Sequence, residues 1–167
     1  MEVEPSINYL QRVEDKSFPL EDAVNKIVNK HTGELQSVIN KIKNMINDQT
    51  KQLSNIEIDE ILLQLPLLLF DLTDDQEIVG LQADFSHQLY KEAYNEAYKI
   101  TKGTIADKNS SCELTSLVQK MDSIIYDRAY KIIRQQVNMA VEILNSVKKL
   151  RDTRQQGASF NNFSNRF

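Results

Sequence analysis

Residues 112–155 read CELTSLVQKMDSIIYDRAYKIIRQQVNMAVEILNSVKKLRDTRQ, without a proline or glycine among them. Leu114, Leu117, Val118, Met121, Ile124, Ile125, Ala129, Ile132 and Ile133 recur mostly in steps of three and four. Met139, Ala140, Ile143, Leu144, Val147 and Leu150 continue the pattern. That spacing lays an apolar stripe along one α-helix. Unbroken, these 44 residues would span about 66 Å at 1.5 Å per residue. That exceeds the needs of a compact bundle of this size. The expected fold is all-α: an elongated helical bundle or hairpin with a long C-terminal helix and an N-terminal helical arm.

Working back from this stretch, GTIADKNSS at residues 103–111 reads as a loop, with Ser110 or Ser111 capping the last helix. Thr73-Asp74-Asp75-Gln76 has the form of a helix start, a polar cap followed three residues later by Gln. From there Ile78, Leu81, Phe85 and Leu89 share a face, and Gly103 is a candidate C-cap. Residues 58–72, IDEILLQLPLLLFDL, are apolar on most faces and read as centrally buried, with Ser54 or Asp59 as cap and Pro66 as a kink or break. An amphipathic arm is expected to start at Pro19 and run to Leu53, with His31-Thr32-Gly33 interrupting its near-heptad stripe. The organisation is therefore a mobile N-terminal arm over 1–18, a helical arm over 19–53, a helical core over 54–156 and a flexible Phe-containing tail over 157–167.

Composition bounds the class. The 167 residues include four Gly and three Pro, too few for a turn-rich β fold. Cys112 is the one cysteine, so no intramolecular disulfide forms and a reducing compartment is expected. The opening MEVEPSINYL does not read as a signal peptide, and the apolar run Ile61–Phe70, broken by Gln64 and Pro66, is too short for a bilayer. The expectation is a cytoplasmic protein with no membrane partner.

The formal net charge of −4 hides a polarity. From Lys120 to Phe167 nine bases face four acids, while the rest of the chain carries eleven bases against twenty acids. A basic helical end of this kind suits a polyanion or an acidic partner. Arg128, Lys131 and Arg134 repeat at steps of three, as do Lys148, Arg151 and Arg154, with Lys149 beside them. These seven are the candidate nucleic-acid-binding residues, and bases favoured by the helix dipole are the alternative reading. Phe160, Phe163, Arg166 and Phe167 lie on a polar tail and form a candidate docking segment for a partner or a neighbouring subunit.

Catalytic signatures are nearly missing from the sequence: no P-loop, dinucleotide loop, CxxC or HExxH occurs. His31 and His87 fall on different helices and read as packing or surface residues. Cys112 reads as a small residue near a helix start. Asp71, Asp74, Asp75 and Glu77 cluster, and helix-start chemistry accounts for them better than a metal does. Tyr90, Tyr94 and Tyr98, one turn apart, fit a half-buried packing seam better than a base-stacking surface. The expected protein is not an enzyme and carries no cofactor.

In the C-terminal half of this chain, over about residues 57–155, the order of an apolar stretch, HQLYKEAYNEAYKITKG, a polar loop and LTSLVQKMDSIIYDRAYKIIRQQVNMAVEILNSVKKLRDTRQQ resembles UvsY-type phage recombination mediators, which also end in two such helices. The resemblance implies a non-enzymatic oligomer that binds single-stranded DNA and helps load a recombinase, with Arg128, Lys131, Arg134, Lys148, Arg151 and Arg154 on phosphates. The acidic net charge and the 19–53 arm depart from that pattern. The leading expectation is thus a nucleic-acid-associated accessory protein, phage-encoded and acting in the host cytoplasm. The alternatives are a self-associating structural component of a larger, virion-like complex and a small inhibitor of a host protein.

Overall fold

The computed structural model describes residues 4–47 and 53–164, with side-chain environments for 14–15, 17–45 and 53–156. Four helices follow in order: α1 (Glu4–Asn47), α2 (Asn55–Ile100), α3 (Ile105–Thr115) and α4 (Leu117–Ser164). No strand occurs among the described residues. The fold is an all-α bundle of long helices, divided into two compact units. Unit 1 comprises Met1–Lys30 with Gln76–Ile133, and unit 2 comprises His31–Asp75 with Arg134–Phe167.

Each unit draws its core from α1, α2 and α4. In unit 2, Leu35 and Ile39 of α1 meet Leu65 and Leu72 of α2 and Ala140 and Leu144 of α4. A second cluster joins Ile42, Ile58, Ile61 and Val147. Going from the first cluster to the second, α1 and α4 numbering rises while α2 numbering falls, so α2 runs antiparallel to both. In unit 1, Val24 and Val28 meet Val79, Ala129 and Ile133. The ring of Tyr130 lies over Gly80, where a Cβ would come within 3.1 Å of it. That close approach explains a glycine inside a helix.

Several expected boundaries move. α1 begins at Glu4 rather than Pro19, which sits inside the helix. Proline there forfeits one backbone bond, and Ser17 Oγ donates to the Glu14 carbonyl just before it. The helix also passes through Gly33, so it is not divided there. Pro66 does not end α2; it lies exposed, while Ile61, Leu65 and Leu72 on the opposite side hold the helix in the unit 2 core. Thr73 does not start a helix either. It is inside α2, and its hydroxyl donates to the Leu69 carbonyl at 2.8 Å. The true start of α2 is the expected Ser54: its Oγ accepts from Glu57 N at 3.2 Å and its own N–H donates to Glu57 Oε2 at 2.7 Å. This reciprocal box supplies two of the orphan groups of the first turn.

The expected loop at 103–111 is mostly α3. Thr104, not Ser110 or Ser111, caps it: Asp107 N donates to Thr104 Oγ1, and the Asp107 carboxylate receives the Thr104 N–H and hydroxyl. Gly103 takes a φ of 133°, a conformation open to glycine and closed to most other residues. The long C-terminal pattern is also interrupted once, at buried Ser116, whose N–H and hydroxyl both turn back to the Cys112 carbonyl. At the far end α4 passes Gly157 and continues to Ser164, so the backbone of most of the expected flexible tail is helical.

Candidate functional site

The candidate bases on α4 divide between the units. In unit 1, Arg128 is exposed and Lys131 Nζ pairs with Asp127 one turn before it at 2.7 Å. In unit 2, Arg134, Lys148 and Lys149 are exposed. Arg151 and Arg154 turn instead to the start of α2. Arg151 Nε lies 3.5 Å from Asp59 Oδ1. Arg154 Nη1 donates to the Leu53 carbonyl and to Asn55 Oδ1. These partners lie about a hundred residues away in sequence, and periodicity on α4 carries no sign of them. Asn55, Ile58 and Asp59 line a small cleft with Arg151 and Arg154. A planar guanidinium suits this position because it serves two acceptors at once.

Folding also dilutes the charge polarity. Counted over whole units, unit 1 holds eleven bases and fourteen acids, a net of −3, and unit 2 holds nine and ten, a net of −1. The acids of α1 and α2 come back alongside the basic helix. Of the tail candidates, Phe160 and Phe163 fall on the helical backbone of α4, but their side chains, like Arg166 and Phe167, lie outside the described residues.

The larger surface feature is on α2. The expectation that residues 58–72, apolar on most faces, are centrally buried is corrected: only one face enters the core. In unit 2, Ile58, Ile61, Leu65 and Leu72 are buried, whereas Ile56, Leu63, Leu67 and Phe70 face outward, the last 75% exposed. In unit 1, Val79 is buried while Ile78, Leu81, Phe85 and Leu89 stand out. At 100° per residue the two sets lie on opposite sides of the helix. Between Asn55 and Tyr90, α2 carries eight acids and no Lys or Arg.

Unit 1 adds a groove to this face. Gln82, Phe85, Ser86 and Leu89 of α2 form one wall, and Gln119, Asp122 and Tyr126 of α4 form the other. Gln119 Oε1 is buried and without a hydrogen-bond partner among the described residues.

The tyrosine stripe is the packing seam its spacing implied. Tyr90 and Tyr94 meet edge to face at 6.3 Å, Tyr94 Oη bonds Asn109 Oδ1 at 3.2 Å, and Lys108 lies 5.2 Å from the Tyr98 ring. All three contacts tie the end of α2 to itself or to α3. Desolvation raises the Tyr94 hydroxyl above its ordinary range, with the nearby Cys112 and Glu113 adding to it. Asp107 titrates below the usual carboxylate range because Thr104 donates to it from side chain and backbone. Cys112 is buried in the body of α3, away from the helix start the sequence implied. In unit 2, His31 Nδ1 lies 3.0 Å from Asp75 Oδ2. Among the described residues no three His, Cys, Asp or Glu side chains converge as metal ligands, and no helix is long and apolar enough to cross a membrane.

No family model, curated protein or solved structure matches the chain.

Proposed function

We propose that this chain is a non-enzymatic assembly protein that self-associates through the unit 2 part of the outer face of α2 and docks further helices through the unit 1 part. The observation that carries this reading is the row of large apolar side chains left uncovered there, Ile56, Leu63, Leu67 and Phe70 in unit 2 and Ile78, Leu81, Phe85 and Leu89 in unit 1. Exposed large apolar side chains grouped within one unit mark interaction sites. Sedimentation velocity tests the reading. The wild type is expected above the single-chain mass of 19.3 kDa. A Leu63→Asp, Leu67→Asp variant is expected at that mass with its helical circular dichroism unchanged. Because the face is rimmed by acids, added salt should strengthen association by screening their repulsion. Wild-type protein at the single-chain mass at every concentration and salt would sink the proposal.

A second reading rests on Arg134, Lys148 and Lys149, exposed on α4 with no ion pair among the described residues. These bases support the nucleic-acid-associated function implied by the UvsY-type resemblance, acting on single-stranded DNA in the cytoplasm. Anisotropy of a labelled oligonucleotide separates the two readings. Phosphate binding weakens with salt and is lost in Lys148→Glu, Lys149→Glu. Affinity that ignores both changes removes the reading.

A further inference from the structure

We infer that the α2–α4 groove of unit 1 receives a basic amphipathic helix from a protein partner. The inference deepens the assembly reading and rests on it. Three observations on the same groove support it.

First, its walls are apolar and set for a helix. Phe85 is 61% exposed and Leu89 42% exposed, with Tyr126 facing them from α4. Leu81 precedes Phe85 by one turn and is 69% exposed. From Leu81 to Leu89 the face runs about 12 Å, two helical turns, which accommodates anchors at i, i+4 and i+7 of an incoming helix.

Second, the surrounding charge selects the partner's sign. Asp122 lies in the groove itself, and Glu92 and Glu96 are exposed on α2 one and two turns past Leu89 on the same side. Lys120, half-buried on α4, is the base nearest in sequence. A second copy presenting the same face would set acids against acids, and a nucleic acid would bring phosphates to carboxylates. Both arrangements are repulsive. A helix carrying Lys or Arg beside its apolar stripe meets the apolar walls and the acids together.

Third, Gln119 Oε1 is a buried acceptor with no donor among the described residues. A buried polar atom left unpaired is costly. A turn of the side chain toward an entering Lys, Arg or amide N–H would satisfy it.

The test uses the full chain and two fluorescein-labelled helical peptides, one of leucine and lysine and its twin with glutamate in place of lysine. The lysine peptide is expected to bind saturably by anisotropy, and the glutamate twin about tenfold or more weakly. Phe85→Gln with Leu89→Gln is expected to cut the lysine peptide's affinity by about tenfold, while Leu67→Gln in unit 2 leaves it unchanged. All these positions are exposed, so circular dichroism is expected to stay at the wild-type signal. Equal binding of the two peptides, or a loss in Leu67→Gln without one in the Phe85 variant, overturns the proposal. Sedimentation of the same proteins separates this failure from that of the assembly reading. Self-association that persists while the peptides ignore the groove removes only the groove's partner. A Phe85 variant that falls to single-chain mass without affecting peptide binding makes the groove a contact between copies and also overturns the inference.

Discussion

Unit 2 is built on long aliphatic side chains and unit 1 on short ones. The unit 2 clusters contain Leu35, Ile39, Ile42, Ile58, Ile61, Leu65, Leu72 and Leu144. In unit 1 the corresponding contact is made by Val24, Val28, Val79, Ala129 and Ile133. Unit 1 compensates with polar and aromatic devices: the Tyr90–Tyr94 seam, the Thr104–Asp107 box and the Lys108–Tyr98 contact. Burial of an aliphatic side chain stabilises in proportion to the area removed from water. A cap or an aromatic edge contact contributes less but fixes geometry. Unit 2 therefore removes the longer aliphatic side chains from water, while unit 1 sets a core of mostly shorter ones beside an open groove.

Truncation puts the largest strain on that contrast. Leu65→Ala, at a fully buried site in unit 2, is expected to cost about 2–5 kcal/mol. Val79→Ala in unit 1 removes fewer methyl groups from an equally buried site and should cost about 2 kcal/mol. Urea unfolding followed by circular dichroism measures both, and equal losses would erase the difference between the cores. A middle-sized effect is expected at the clamp of unit 2. Arg154→Ala leaves the Leu53 carbonyl and Asn55 without their donor, and should lower stability by about 1–3 kcal/mol. Arg154→Lys should recover only part of this loss in thermal melts, since the shorter lysine has no rigid planar group to hold one nitrogen on both acceptors.

Smaller still is the capping box of unit 1. Thr104→Ala should cost about 1 kcal/mol. The acid limb of the stability profile provides a second view. The Asp107 carboxyl is depressed in the folded protein, so its contribution is complete above the ordinary carboxylate value and disappears as pH falls through the lower folded value. In Thr104→Ala the side-chain share of that acid loss should be missing, while the backbone N–H at 104 keeps the rest. The smallest change has the opposite sign. Gly33 has open space where a Cβ would go and lies within α1. Gly33→Ala is expected to raise stability by up to about 1 kcal/mol; a decrease would show that α1 needs glycine's freedom there.

The all-α class was legible because apolar spacing of three and four dominates most of the chain. The helix ends were not, and each miss has a local cause. Thr73-Asp74-Asp75-Gln76 has a start signal's chemistry, yet Leu72 and Val79 on either side are buried by tertiary packing, and burial overrides a cap worth about 1 kcal/mol. Thr73 then spends its hydroxyl on the carbonyl four residues back. Ser116 escaped notice because a break made by a serine bonding backwards leaves no mark on hydrophobic periodicity. In the candidate site, the exposed bases of α4 could be placed from sequence, but the engagement of Arg151 and Arg154 could not, since it depends on which helix returns alongside. The outer face of α2 was visible as apolar residues and was read as core. One helix with two opposite apolar faces resembles a buried helix until packing shows which face is used.

Cys112 lies fully buried in α3, and it is the chain's sole thiol. A thiol-reactive dye reaches it only when the short helix lifts away, so the rate of labelling under native conditions serves as a clock for that one motion, with no engineered probe and no second cysteine to confuse the reading.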